Sequence, residues 1–441
     1  GGTNILNFTA YSTTVGVTLT GSNAFGYSGT TSGSPNPTGG FAEITQIDTT
    51  ANSNTLTLAN GIASTVTINS SLPVNLFNLT VNVSGAPDLV FTGISIVNGG
   101  TGVTNTLISG ESTNNIWTLT SLNGGTYYDG QLLTFSNFGN LIGGSGSDVF
   151  GGTSGGISGT LNGGAGINSL NYSGYAGTVL VNLADDSATG IYGGAAGGFS
   201  NIQVLTGNGA NTTLTGPGGI NAWHITGLNT GDINNPSNFS FAQVWNLTGG
   251  GSQDTYIFSD GQGVQGTLTG GTDGILDYHL YTSAVTVNLG NNTATGTGGI
   301  SGIHGLIGAN SGSNLTTLIS GSGSNIWDIT GTNAGDLNGP GNFSFTQVQN
   351  LTGGSGADSF TLSGTGNIGG LISGGGGSDT LIGNNLTNAW AITGSNSGTL
   401  TDSNGTNNFS GIANLTGGTG NDSFTLSGTG NIGGLIGGGG G

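Results

Sequence analysis

One spacing constrains this chain more than any other. A tryptophan in the phrase Asn-x-Trp-x-[Leu/Ile]-Thr recurs at Trp117, Trp223, Trp327 and Trp390. Each is followed by a second phrase of Asn-Leu, a glycine-rich turn, an aspartate and an aromatic, at 140–150, 246–256, 350–360 and 414–424. The step from tryptophan to aspartate is identical from Trp117 to Asp148, Trp223 to Asp254 and Trp327 to Asp358, and one position longer from Trp390 to Asp422. An offset that regular marks a repeat protein, in which one supersecondary unit is stacked on copies of itself.

A longer unit encloses these phrases. Phe8, Tyr11 and Val15 return as Tyr172, Tyr175 and Val179, and again as Tyr278, Tyr281 and Val285. Supra-repeats are therefore read at 1–162, with a divergent insert at about 25–105, then 163–269, 270–373 and a truncated 374–441. Within them, glycine corners pair at a near-constant step: Gly143 with Gly163, Gly249 with Gly270, Gly353 with Gly374, and Gly417 with Gly437. Helix periodicity is absent, and short alternating apolar runs are bounded by Gly, Asn, Ser and Asp. The expected fold is all-β: one continuous right-handed parallel β-solenoid (β-helix) with coils of about 20 residues, each strand about 4.8 Å from the next.

Composition narrows the partners. The 441 residues hold 19 acidic groups, three histidines, and no lysine, arginine, cysteine or methionine. Nucleic acid and anionic membranes are bound through Lys and Arg, so neither is an expected partner. No apolar run of about 18 residues or more occurs, so no membrane insertion is expected. Inorganic divalent cations are the natural counterions. The missing methionine reads as a processed piece of a longer chain, and the composition fits a secreted or cell-surface setting.

The stretch Gly374–Ile382 matches the nonapeptide G-G-x-G-x-D-x-U-x, and 143–150, 353–360 and 417–424 match its first eight positions. At 249–256 the third glycine is missing, and at 163–170 Asn168 replaces the aspartate. In these residues the chain resembles the repeats-in-toxin (RTX) family, and more broadly the giant glycine-rich bacterial surface proteins that carry degenerate versions of its repeats. The resemblance covers most of 111–441. It implies secretion, a parallel β-roll or β-helix, and Ca²⁺ held between turns by aspartates and carbonyls. Asp358 and Asp379 are spaced to meet at one corner, and Asp148 to meet Asn168; Asp254 and Asp422 complete the candidate calcium residues. Calcium needs six to eight oxygen ligands, and the copies here are a coil apart rather than in tandem. The competing reading makes each aspartate a cap on backbone amides.

Trp117, Trp223, Trp327 and Trp390 are expected as a packed core ladder, with Trp245 outside the phrase, and Asn246, Asn350 and Asn414 as an asparagine ladder. His224, His279 and His304 share no short metal-ligand spacing. No basic residue but histidine exists, and Asp185-Asp186 is the one adjacent acidic pair, so no enzyme is expected. The segment ending Leu435-Ile436-Gly437 … Gly441 stops where the parallel stretch 367–382 continues, and Gly1-Gly2-Thr3 with Ile5 resembles that continuation. These residues form the expected interface of a head-to-tail homopolymer. The expected role is the subunit of an extracellular filament or matrix, one chain spanning roughly 85–105 Å at about 4.8 Å per coil. The alternatives are a calcium-stabilised spacer of a giant adhesin and a carbohydrate- or ice-binding face of threonine rows, for which no row in register is legible.

Overall fold

The computed structural model describes residues 2–49, 54–73, 75–192, 198–234, 239–310, 315–339 and 342–440. Gly1 and Gly441 of the expected interface lie outside the described residues. The protein is all-β, with no helix among the described residues. It divides into two compact units, residues 1–214 with 239–243, and residues 215–238 with 244–441.

In the first unit, Gly16–Asn23, Asn54–Thr57, Leu89–Asn98 and Leu132–Ser136 pair in parallel in that order. The ladder then reverses. Leu132–Ser136 pairs antiparallel with Gly124–Tyr128, which pairs antiparallel with Ile116–Ser121. Parallel pairing resumes from Ile116–Ser121 to Val149–Gly152 and on to Ser169–Asn171. Because side chains alternate along a strand, one register position runs inward through the last five of these strands. Leu133, Tyr127, Trp117, Phe150 and Leu170 lie side by side there and are buried. The region 25–105 belongs to this ladder rather than standing apart from it, with Leu56, Phe91 and Val97 in the core.

The second unit repeats the plan. Thr297–Ile307 pairs in parallel with Phe343–Thr346, the meander runs back through Ala334–Leu337 and Ile326–Gly331, and Ser359–Leu362, Asp379–Ile382 and Ile412–Thr416 follow in parallel. A nine-stranded sheet in this unit does the same. Its parallel run through Thr316–Ile319, Asn350–Thr352 and Leu371–Ser373 reaches Gly405–Ser410. It then turns antiparallel through Ser397–Asp402 and Ala389–Gly394 before Ser423–Leu426.

These antiparallel meanders correct the expectation of uniformly parallel coils of constant length. One parallel step is short, from Phe150 to Leu170 and from Phe360 to Leu381. Another is half as long again, from Trp117 to Phe150 and from Trp327 to Phe360. The longer steps hold the hairpins. The cause is local: Asn123, Asn229, Asn333 and Asn396 all have φ between 51° and 59°. Asparagine tolerates that left-handed conformation, which a two-residue hairpin demands. Each turn follows a bulge in the tryptophan strand, between Leu119 and Ser121 in the first copy and between Ile329 and Gly331 in the third.

The glycine corners answer to a different demand, the close approach of one turn to the next. A Cβ on Gly354 would lie 1.7 Å from the Gly321 carbonyl oxygen, and one on Gly144 would lie 2.1 Å from that of Glu111. At Gly376, the variable position of the nonapeptide, the nearest atom to an added Cβ is 3.5 Å away. Gly354→Ala is therefore expected to lower unfolding stability by about 1–3 kcal/mol or more, while Gly376→Ala leaves it nearly unchanged. Thermal and denaturant melts of the two variants check this; equal losses would refute the packing account.

Candidate functional site: the aspartate corners

Each tryptophan phrase meets its aspartate phrase across one parallel step, and two contacts recur. The first is aromatic. Trp117 stacks on Phe150 at 5.7 Å between ring centroids, Trp223 on Tyr256 at 5.5 Å, Trp327 on Phe360 at 5.5 Å and Trp390 on Phe424 at 5.3 Å. The four tryptophans are at most 1% exposed. Such pairs add about 0.5–1.5 kcal/mol each beyond the area they bury.

The second contact is polar. The Asn115 backbone N–H and its side-chain amide donate to Asp148 Oδ1 at 2.9 and 2.8 Å, and the Asp148 N–H donates in turn to Asn168 Oδ1 at 2.8 Å. Asn325 treats Asp358 in the same way, at 2.7 and 2.8 Å, and the Asp358 N–H donates to Asp379 Oδ1 at 2.8 Å. Asn388 binds Asp422 Oδ1 at 3.1 and 2.7 Å. The Asn221 amide reaches Asp254 Oδ1 at 2.7 Å, and the Trp223 indole N–H does so at 3.3 Å. Every corner thus ties an amide of one strand to the Asp or Asn side chain of the next. A parallel series acts at the start of the aspartate phrase, where Asn140, Asn246, Asn350 and Asn414 accept the N–H of Thr160, Thr267, Leu371 and Leu435 at 2.9–3.0 Å.

The corner carboxylates sit in poor solvent. Asp148, Asp254, Asp358 and Asp379 are at most 2% exposed. Burial pushes the carboxyls of Asp148, Asp254 and Asp379 above the usual range, with the amide hydrogen bonds pulling the other way. For Asp379 the neighbouring Asp358 carboxylate adds to the rise. The second oxygens of Asp254, Asp358, Asp379 and Asp422 have no hydrogen-bond partner within the protein. They pack over the first glycine of their own turn, Gly249, Gly353, Gly374 and Gly417, where an added Cβ would come within 2.2–2.4 Å.

These side chains supply only part of a calcium shell. The Oδ1 atoms already hold amide protons, and Asp358 with Asp379 brings two carboxylates where six to eight oxygens are needed. Among the described residues no group of three or more His, Asp and Glu side chains is placed to hold a metal ion. The histidines are dispersed: His224 Nδ1 lies 3.0 Å from Asp232, His279 Nδ1 2.7 Å from Asp277 and His304 Nδ1 3.9 Å from Asp273. A small apolar cavity of about 20 Å³ in the first unit is lined by Leu119, Phe150, Leu161, Leu170 and Tyr172, with no carboxylate or histidine on its wall. The amide donors of the ladder stand in the tryptophan phrase, at Asn115, Asn221, Asn325 and Asn388, and the turn asparagines Asn123, Asn229, Asn333 and Asn396 follow it.

No family model matches the chain, and a search of curated proteins returns no match.

The ladder makes an opposite prediction to ordinary acid denaturation. A carboxyl whose pKa is higher folded than unfolded holds its proton more tightly in the folded state. Its destabilising effect is present above the folded pKa and is relieved as pH falls through that value towards about 3.9. Asn168 shows what an amide does in the same place: its Nδ2 donates to the carbonyls of Ala165 and Asn201, and the Gly411 carbonyl stands beside Asp379 as Asn201 stands beside Asn168. Asp379→Asn is expected to raise stability at pH 7 by about 1 kcal/mol, and the gain shrinks as pH is lowered to about 4. Denaturant melts of both proteins across that range test it; a variant less stable than wild type at pH 7 would contradict this account of the corner.

Proposed function

We propose that this chain is a structural segment of a secreted extracellular filament or surface layer, wound as a right-handed β-solenoid whose parallel coils are interrupted by antiparallel hairpins, and that copies add head to tail. Its function is mechanical. The observation that carries this reading is the repetition of one inter-strand plan, in which the aromatic stack and the Asn-to-Asp cap of Trp117 and Asp148 recur at three later places. A strand built to that plan is completed by another strand of the same plan, and this is the logic of repeat stacking.

Two further features support it. Ladder-edge apolar side chains are more than half exposed at Ile5, Leu426 and Leu435, with 51%, 51% and 68% of their surface accessible. A further strand, from whatever chain, would cover them. With no lysine or arginine, the chain presents no site for proteases that cut after basic residues, and its exposed Thr, Ser and Asn side chains hydrate well. The second reading, a calcium-stabilised spacer of an adhesin, draws on the unpartnered second oxygens of Asp358 and Asp379.

Electron microscopy and fibre diffraction of the native material test the polymer. Fibres with a regular axial repeat and a reflection near about 4.8 Å along their length, unchanged in EGTA, are the expected result. Isolated particles at every concentration would sink the filament. Loss of β-structure in EGTA would move the reading to the calcium spacer.

A further inference from the structure

The outward face of the first unit carries hydroxyl rows that no stretch of sequence displays. At one register position Ser32, Gly16, Thr55, Ile96, Thr134, Thr126 and Thr118 are successive neighbours across seven strands. Two residues along, Thr30, Thr18, Thr57, Asn98 and Ser136 form a second row. Part of that row is joined by side-chain hydrogen bonds: Ser136 Oγ donates to Asn98 Oδ1 at 2.7 Å, and Asn98 Nδ2 to Thr57 Oγ1 at 3.4 Å. Neighbouring strands set the spacing along each row at about 4.8 Å.

Where the rows begin, the face is cut by an open groove of about 620 Å³. Its walls are hydroxyl-bearing, with Thr14, Thr18, Ser32, Ser34, Thr55 and Thr57 among them, and no ionisable side chain lines it. Gly16 opens the floor: a Cβ there would stand 2.4 Å from Ser32 Oγ. The Thr13 hydroxyl, which also lines the groove, is buried and has no hydrogen-bond partner within the protein.

We infer that this face binds an uncharged, extended polysaccharide laid across the strands. Hydroxyls both donate and accept hydrogen bonds, the pairing that a sugar hydroxyl requires. A single neutral hydrogen bond contributes only about 0.5–1.5 kcal/mol, so affinity must come from many of them along a regular track. The row spacing is of the order of one sugar unit in an extended chain. Polyanionic glycans are repelled, because the chain carries a net charge of −19 with no lysine or arginine.

The test is retention of the full chain on insoluble cellulose, chitin and β-glucan, with alginate as the anionic comparison. The wild type is expected to bind at least one neutral polymer and not alginate. Thr18→Val/Thr55→Val/Thr57→Val removes three hydroxyls while keeping side-chain shape and strand preference, and is expected to weaken retention at least tenfold with an unchanged melting temperature. Gly16→Ala, which fills the groove floor, serves as the second variant and decides the matter should the triple variant not fold. The inference is overturned by any of four results: no retention on neutral polymers, equal retention on alginate, undiminished retention by the variants, or adsorption to ice without retention on any glycan.

Discussion

The structure depends on how a glycine-rich corner is held when its neighbour lies directly against it. Stacked turns leave amides that face the next strand rather than water, and a buried amide without an acceptor is costly. Here the acceptor is the side chain of an aspartate or asparagine one strand away, as in Asn115 to Asp148 to Asn168. The same contact sets the distance between turns. It succeeds only because Gly143, Gly353 and Gly374 carry no Cβ where the carboxylate and a neighbouring carbonyl must pass. Acid and glycine in the repeat are thus two halves of one constraint.

That constraint explains why the corners accept either Asp or Asn. The acceptor oxygen is common to both. They differ at the second position: Asn168 donates two hydrogen bonds to backbone carbonyls, whereas the second oxygens of Asp358 and Asp379 receive none. The aspartates are therefore the electrostatically poorer choice in a buried corner, since desolvation disfavours the charged form. Each tryptophan lies flat on the aromatic of the next strand, at interplanar angles of 12° to 25°, close to the corner it shields.

Much of this was legible in the residues. The four Trp–Asp offsets, the evenly stepped glycine pairs and the alternating apolar runs specified an all-β repeat. They also spaced Asp358 to meet Asp379 at one corner, where the Asp358 N–H donates to Asp379. The antiparallel meanders were not read, although Asn123, Asn229, Asn333 and Asn396 marked their turns. A parallel repeat supplies a strong expectation of constant direction, and a two-residue turn is a weak signal against it. The threonine rows were missed for another reason: Thr118, Thr126 and Thr134 are neighbours only because the meander folds them back on one another.

The sequence by itself determined what must be buried, what must turn and what must be capped, because those demands are local. A tryptophan between apolar neighbours, an asparagine at a two-residue turn and an aspartate after a glycine turn each carry their own physical reason. Only the tertiary structure decided direction and neighbourhood. Whether a strand pairs in parallel with the next repeat or antiparallel with the strand just before it depends on which edge is open when it arrives, and no single segment encodes that edge. The outward face is the clearest case: its rows are assembled from strands far apart in the chain, so their chemistry exists only once the register is set.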